Sequence, residues 1–220
     1  MTKLRTRHLL PALLTSCLII LPTAGARGQS AEEPASPWVL LEELREGLEE
    51  VGPITARFVQ TYVPAGFSTG DQEKGFLSLW LPRCLRWNYL EPEMKNFLLC
   101  DNEVWAWNPQ EEGGRHYLID PEQEPGLDLL LVAVDRLRER YVAESQRRSD
   151  GTYDVTMSTP PDAAEHFQAV IRIDPVAERV TGLEYTDGEG NLTRFEIREY
   201  QGLSHTALFN APADLRWTEE

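Results

Sequence analysis

The sequence is short of positive charge, cysteine and histidine, and each shortage excludes a class of function. Its 220 residues carry 21 Lys plus Arg against 36 Asp plus Glu, which gives a formal net charge of −15. Nucleic acids and anionic membrane surfaces attract cations, so we expect neither as a main partner. Three cysteines are too few for a disulfide scaffold. A hydrophobic content of 41% is nevertheless enough to bury a core, which excludes global disorder.

Residues that could bind a metal or a cofactor are also scarce. The sequence contains no phosphate-binding loop, no Cys-x-x-Cys and no His-Glu-x-x-His pattern. Downstream of the first 26 residues, the three histidines His116, His166 and His205 are dispersed without ligand spacing. We therefore expect no metal site, no cofactor and no enzymatic activity.

One long apolar run is present, and it lies near the N-terminus. Three basic residues precede Leu9–Leu21, and the small residues Ala24-Gly25-Ala26 follow it. This order is typical of a secretory signal peptide, and the run is too short for a membrane span. We predict a signal peptide over residues 1–26, a single domain over residues 27–220, and export to a bacterial periplasm.

An alternative interpretation of the same region is a lipid anchor. The tetrapeptide ending at Cys17 resembles a bacterial lipoprotein box, in which the cysteine is lipidated. The apolar run continues after Cys17, where a lipoprotein sequence should become polar. The signal peptide with cleavage after Ala26 is therefore the preferred interpretation.

The rest of the chain is dominated by strand patterns. A helix is predicted first, with Ser36 as its N-cap and Pro37 in its first turn, and Gly52-Pro53 ends it. Short apolar segments separated by turn residues then predict an antiparallel meander, and hence an α+β, mainly antiparallel β fold. The predicted strands are Ile54–Tyr62, Gly75–Leu81, Cys84–Tyr89, Asn96–Cys100, Val104–Trp107, Tyr153–Ser158, Phe167–Ile173, Arg179–Tyr185, Asn191–Tyr200 and a short one near Leu208.

A second helix is predicted from Leu127 to about Arg138. Leu127, Leu130, Leu131 and Val134 lie on one stripe at helical spacing, and other apolar residues extend around the first two turns. A helix that is apolar on nearly every side has to be enclosed. We expect it to lie across the concave face of the sheet.

Alternation within the early strands predicts which residues share a face. Leu77, Leu79, Leu81, Leu85 and Trp87 have one parity, and a hairpin turn at Pro92 aligns Phe97 and Leu99 with them.

The same register places Cys84 opposite Cys100. In an oxidising compartment we predict a disulfide between them, which closes a loop of about 15 residues and contributes about 3 kcal/mol. The alternative is two free, half-buried thiols.

The amount of apolar surface allows two interpretations. The Leu-rich second helix and six tryptophans, five of them between Trp38 and Trp107, are predicted to face one side of the sheet. They could form an ordinary core. They could equally form an aromatic-lined cavity for acyl chains, whose burial yields about 0.8 kcal/mol per methylene.

The order of several short motifs resembles that of the LolA family, the periplasmic carriers of outer-membrane lipoproteins. The resemblance covers nearly all of the chain after the signal peptide. The motifs are Ala56-Arg57-Phe58-Val59-Gln60, Gly75-x-Leu77-x-Leu79-x-x-Pro82, Arg86-Trp87-Asn88-Tyr89-x-x-Pro92, Asp101-x-x-Val104-Trp105-x-Trp107-x-Pro109 and Phe209-x-x-Pro212.

This resemblance implies an unclosed β-barrel of about eleven strands, with helices covering the concave side. It implies a monomer that takes triacylated lipoproteins from an inner-membrane ABC transporter and delivers them to an outer-membrane receptor, LolB-like or of another kind. Position by position, it places Leu85 and Trp87 in the acyl-chain cavity and residues 127–134 in a helix that closes it. The full set of residues that we assign to the cavity is Phe58, Leu77, Leu79, Leu81, Leu85, Trp87, Phe97, Leu99, Trp105 and Trp107.

The sequence departs from the family pattern at one position. The family commonly has an arginine directly before the proline matched to Pro82, and that arginine holds the lid closed by hydrogen bonds. Here the position is Leu81, and Arg83 follows the proline. Either Arg83 has taken over the role, or apolar contact alone holds the lid.

Two further functions fit the same architecture. One is a half-barrel carrier of free lipid or glycolipid, and the other is a sensor of lipoproteins similar to RseB regulators. Such regulators usually add a second domain, for which the chain is too short.

Overall fold

A computed structural model describes residues 35–121, 128–163 and 166–219. Pro34–Glu220 forms one compact unit. The predicted signal peptide and Cys17 lie outside the described residues and stay predictions.

The described chain contains three α-helices, one 3-10 helix and twelve strands. The helices are α1 Pro37–Val51, α2 Asp128–Leu131 and α3 Val134–Arg140, and the 3-10 helix is Ala207–Phe209. The strands are β1 Ile54–Val63, β2 Asp71–Trp80, β3 Cys84–Glu91, β4 Lys95–Cys100, β5 Glu103–Trp107, β6 Gly113–Leu118, β7 Val142–Arg147, β8 Tyr153–Ser158, β9 Gln168–Asp174, β10 Arg179–Thr186, β11 Leu192–Gly202 and β12 Arg216–Glu219.

All twelve strands belong to one open sheet in the order β12-β6-β5-β4-β3-β2-β1-β11-β10-β9-β8-β7. Two antiparallel meanders, β1 to β6 and β7 to β11, meet where β1 pairs with β11. The short β12 adds to β6 in parallel. Strands β12 and β7 are the two edges, so the sheet is unclosed.

The strand predictions need three corrections. The segment near Leu208 is part of a 3-10 helix and not a strand. Strands β6, β7 and β12 were not predicted, and the sheet has one strand more than the expected eleven. These three strands lie at or beside the sheet edges, where most of their side chains are half-exposed or exposed. A strand in that position needs no apolar alternation.

Helix α1 has the predicted bounds. It begins after Ser36, has Pro37 in its first turn and ends at Gly52, whose φ of 75° suits glycine. The predicted cap is not formed, since the Ser36 side chain makes no capping hydrogen bond. Its buried apolar residues are Leu40, Leu41, Leu44 and Leu48. They belong to the same core cluster as the inward-facing leucines of β2 and β3.

The second predicted helix is broken. Leu127 lies outside the described residues, and the helix that was expected to continue to Arg138 is divided into α2 and α3. Ala133 between them has an extended ψ of 144°, which interrupts the helical hydrogen bonding. We call residues 128–140 the lid segment. The lid segment is part of the connection between β6, which lies near one edge of the open sheet, and β7, which forms the other edge.

The two faces of the sheet carry separate clusters. The inner face, defined by Leu77, Leu79 and Leu85, packs with α1 and the lid segment in the main core. The outer face has a second cluster beneath the C-terminal segment. The members of that cluster and the side chains packed against it are Trp80, Cys84, Leu98, Cys100, Trp105, Trp107, Leu203, Phe209, Ala211, Leu215 and Trp217.

The outer cluster is held partly by Arg86. Its guanidinium lies 4.9 Å from the centre of the Trp107 ring and donates a hydrogen bond of 2.6 Å to the Leu208 carbonyl. Burial lowers the pKa of Arg86. The arginine therefore ties the C-terminal segment to β3.

The cysteines pair as the alternation indicates. Cys84 and Cys100 lie opposite each other in the β3–β4 register and form a disulfide. The bond lies in the outer cluster, below Phe209. It joins the two strands whose inner faces carry Trp87 and Phe97.

We expect replacement of both Cys84 and Cys100 by alanine to lower the free energy of unfolding by about 3 kcal/mol, because the unfolded chain loses its closed loop. Urea denaturation monitored by circular dichroism measures this change. Reduced wild-type protein is the control and should unfold at nearly the same urea concentration as the double variant. Two reactive thiols in the denatured, unreduced wild type would contradict the disulfide.

Candidate functional site

An open cavity of about 310 Å³ lies on the inner face of the sheet. Strands β1, β3, β4, β5, β10 and β11 contribute to it, together with the end of β6 and the residue that follows. We call it the mouth cavity. The lining residues are Gln60, Trp87, Tyr89, Phe97, Leu99, Val104, Tyr117, Ile119, Tyr185 and Phe195.

A second, almost filled space of about 30 Å³ lies next to it, beneath α2. This volume is about that of one water molecule. We call it the lid cavity. Its lining is apolar except for one tyrosine hydroxyl, and consists of Leu77, Leu79, Trp87, Leu129, Leu130, Ile171, Val180, Leu183, Phe195, Ile197 and Tyr200.

Trp87 and Phe195 line both spaces and therefore stand at the boundary between them. Leu129 and Leu130 of the lid segment line the lid cavity from the side of α2.

A polar pair marks the mouth cavity. The Tyr89 hydroxyl donates a 2.6 Å hydrogen bond to the Gln60 side-chain oxygen, and the Tyr89 ring packs edge-on against Phe58 at 5.0 Å. Burial, and after it the nearby Glu73, raises the pKa of Tyr89. The hydroxyl therefore stays protonated at neutral pH and continues to donate to Gln60.

The structure brings most of the predicted cavity residues together. Trp87, Phe97 and Leu99 line the mouth cavity, and Leu77 and Leu79 line the lid cavity with Trp87.

Phe58, Leu81 and Leu85 are buried in the adjoining main core, without lining either space. Of the predicted lid residues, Leu130 lines the lid cavity. Val134 is buried in the main core, and Leu131 lies at the break between α2 and α3.

Two predicted residues lie on the wrong face. Trp105 and Trp107 belong to the outer cluster, and so do not line the cavity. Asp101 and Asn102 form a two-residue turn, and both have a positive φ. This turn pairs Cys100 with Glu103, which fixes the face to which the following residues point. Alternation carried through that turn assigns both tryptophans to the face that holds Cys100.

Several lining residues were not predicted. Gln60 has the same strand parity as Phe58 across β1, and Tyr185 has the same parity as Leu183 along β10. That parity could have identified both. Nothing local in the sequence identified Ile119, which follows the unpredicted strand β6.

Arg45 of α1 fastens the lid segment at its break. The guanidinium donates hydrogen bonds of 2.6 Å to the Leu131 carbonyl and 2.8 Å to the Val132 carbonyl. These carbonyls lie where the helix is interrupted, so they need partners outside it. Burial lowers the pKa of Arg45, and an ion pair with Glu49 at 3.4 Å opposes that effect.

Leu81 stands where the family commonly has an arginine, and two explanations are open: Arg83 holds the lid, or apolar contact alone does. Neither explanation is complete. Leu81 is buried in the main core, which agrees with apolar contact. Among the described residues, Arg83 forms its ion pair with Asp101 at 3.4 Å and lies over the Trp80 ring. The hydrogen bonds to the lid come from Arg45, a third residue on another element.

A second, weaker contact joins α1 to α3. Arg138 forms an ion pair with Glu42 at 2.6 Å, and its guanidinium lies 5.6 Å from the centre of the Trp38 ring. Both charged side chains are 40% exposed. An exposed pair of this kind contributes at most about 1 kcal/mol.

One catalytic spacing occurs in the sequence, and its surroundings do not suit catalysis. Residues 66–70 read Gly-x-Ser-x-Gly, but they form an exposed loop between the antiparallel strands β1 and β2. A nucleophile elbow requires a turn from a strand into a helix. In the described part of the chain, no group of three or more His, Cys, Asp or Glu side chains is placed to hold a metal ion. None of the helices described is both long and apolar enough to cross a membrane.

Comparison with known proteins identifies the family. Residues 49–210 match the family model described as outer membrane lipoprotein carrier protein LolA. The match covers most of the chain, so the chain belongs to the LolA family. An outer-membrane lipoprotein carrier protein from Shewanella amazonensis is 21% identical over 158 residues, which are 72% of this chain and 75% of the relative.

Solved structures with a similar arrangement of strands were also found. A LolA superfamily protein from Nitrosomonas europaea has a TM-score of 0.45 and 8% identity, and the match covers 80% of this chain and 98% of that one. The MucA/MucB complex of Pseudomonas aeruginosa matches with a TM-score of 0.45 and 13% identity, over 81% of this chain and 62% of that one. Neither likeness adds to the family assignment.

We expect Arg45→Met to loosen the lid segment, because two carbonyls at the helix break lose their donors at a cost of about 1–3 kcal/mol. Hydrogen exchange of the backbone amides in residues 128–140 should become faster. Arg138→Met is the matched control, since it removes an exposed contact between the same elements and should change exchange much less. Equal exchange in the Arg45 variant and the wild type would show that Arg45 does not fasten the lid.

Proposed function

We propose that this protein is a periplasmic carrier that shelters the acyl chains of lipoproteins and takes them from the inner to the outer membrane. The observation that carries the proposal is the pair of adjacent spaces on the inner face, in a chain of the LolA family. The mouth cavity is open, and the lid cavity is lined by leucines of the lid segment, which Arg45 ties to α1.

The chemistry of the inner face suits acyl chains. Each buried methylene contributes about 0.8 kcal/mol, so a long chain can replace the contacts that Leu129 and Leu130 make under the lid. In this proposal the open sheet acts as a half-barrel, and α1 and the lid segment cover its concave side. No covalent bond is made or broken, so the function requires no cofactor and no metal.

Opening of the lid segment has to replace polar and apolar contacts. Two hydrogen bonds to carbonyls and one exposed ion pair join the segment to α1, and its residues Leu129, Val132, Val134 and Leu137 are buried in the main core. In this proposal the acyl chains of the cargo and the contacts with a docking partner offset the loss.

We infer that the cargo comes from an inner-membrane ABC transporter and leaves to an outer-membrane receptor. Because the chain has a net charge of −15, basic docking surfaces on these partners would speed encounter. The predicted signal peptide over residues 1–26 would bring the protein to the periplasm.

A release assay with spheroplasts of the native host tests the proposal. The exported protein is added, the cells are pelleted, and the supernatant is probed for lipidated proteins bound to it. Soluble one-to-one complexes with lipoproteins are the expected result. If the protein carries only phospholipid or glycolipid, it is instead a free-lipid transporter or a sensor. If it carries no lipid, the inner face is an ordinary hydrophobic core and not a binding site.

We expect Trp87→Asp and Leu130→Asp each to abolish retention of acylated cargo, because a carboxylate in an apolar site is poorly solvated. The measurement is the amount of lipoprotein that co-elutes with the purified variant. Val176→Asp is the control, since Val176 is 94% exposed and lies outside both spaces. Circular dichroism should show that the sheet of each variant persists. If the Trp87 variant retains as much lipoprotein as the wild type, the two spaces on the inner face do not hold the acyl chains.

A further inference from the structure

We infer that the mouth cavity selects the uncharged glyceryl-ester end of an acylated ligand and disfavours an end that carries a phosphate. The inference rests on the proposed function and adds a direction of binding and a chemical class to it. The ester end would lie at the mouth and the chain ends under α2.

The inner face of β2 changes from acidic to apolar along its length. Asp71 and Glu73 have the same parity as Leu77 and Leu79, since alternate residues of a strand point to one side. Glu73 lies opposite Gln60 of the mouth cavity, whereas the two leucines line the lid cavity. The two ends of an elongated ligand would therefore meet different surroundings.

Hydrogen-bond donors are available at the mouth. The Gln60 side-chain oxygen is already bound by the Tyr89 hydroxyl, which leaves the amide nitrogen for a ligand. Within the described residues, neither this nitrogen nor the Tyr185 hydroxyl has a hydrogen-bond partner. Both groups line the mouth cavity. The ester and amide carbonyls of an acylated glycerol or cysteine are acceptors that fit such neutral donors.

The charges around the mouth do not suit a phosphate. Lys95, which lies 4.4 Å above the Tyr89 ring, is paired with Glu73 at 2.6 Å. Asp71 and Glu93 are exposed on the rim of a depression that also includes Gln60. In the residues that the structure describes, these two carboxylates have no ion-pair partner. An anionic headgroup would meet uncompensated negative charge at this rim.

Two other cations lie near the mouth. Arg115 of β6 has the parity of Tyr117 and lies opposite Ala106, on the side of the mouth away from Asp71 and Glu93, and it has an interaction partner of its own. Lys74 is paired with Glu91 across β2 and β3 at 3.3 Å. Lys74 has the parity of Phe76, so it lies on the outer face of the strand. The mouth therefore combines neutral donors with a net negative rim, and this combination favours ester carbonyls over phosphate oxygens.

The test is a competition among three ligands with the same palmitoyl chains. They are a dipalmitoylglyceryl-cysteine lipopeptide with an uncharged peptide, dipalmitoylglycerol and dipalmitoylphosphatidylglycerol. Purified exported protein is mixed with equal amounts in detergent micelles and isolated by gel filtration, and bound lipid is counted by mass spectrometry. We expect the two uncharged ligands to be bound at least about tenfold more than the phospholipid, and the preference to narrow at high salt, which screens the rim.

Matched variants test the acidic rim and the neutral hydrogen-bond donors separately. Asp71→Asn combined with Glu93→Gln should raise the phospholipid share severalfold. Glu46→Gln combined with Glu50→Gln makes the same change in charge on the exposed side of α1 and should not. Gln60→Leu should weaken binding of the glyceryl ligands about threefold to tenfold, the effect of one lost hydrogen bond, while hexadecane retention is unchanged.

Each outcome decides between the two proposals. Equal capture of all three ligands, or an equal shift in both charge variants, would overturn the selectivity and leave the carrier function standing. Failure of the wild type to retain any of the three ligands would contradict the carrier function itself and this inference with it.

Discussion

The constraint on which this structure depends is the crossing between β6 and β7. These strands lie near opposite ends of one unclosed sheet, so the chain between them has to bridge its open side. A continuous helix does not make this crossing, and the interruption leaves carbonyls that need donors. Arg45 supplies them from α1, and so the same contact that satisfies the backbone also holds the cover over the cavity.

The two faces of the sheet pack against different parts of the chain. The outer face is closed by the C-terminal segment, the disulfide and the bond from Arg86 to the Leu208 carbonyl. That packing does not involve the lid segment. In the proposed function, a ligand replaces contacts of Leu129 and Leu130 on the inner face, while the packing of the outer face holds the strands in register.

Much of this arrangement could be predicted from local patterns, because strand alternation and turn residues are local. Alternation placed Trp87 opposite Phe97 and Cys84 opposite Cys100 in the observed register. It failed for Trp107 where the parity was not carried through a two-residue turn. The lid break could not be predicted, since its sequence has a good helical period and the Arg45 side chain that binds the freed carbonyls lies 86 residues before Leu131.

The placement of the tryptophans has a consequence for spectroscopy. Trp80, Trp105, Trp107 and Trp217 belong to the outer cluster, and Trp38 lies beside Arg138. Of the six indoles, Trp87 alone lines the two spaces on the inner face among the described residues. The other five indoles therefore contribute to the intrinsic fluorescence without lining either space. In a variant that keeps Trp87 as its single tryptophan, the emission would depend on the surroundings of the two spaces on the inner face.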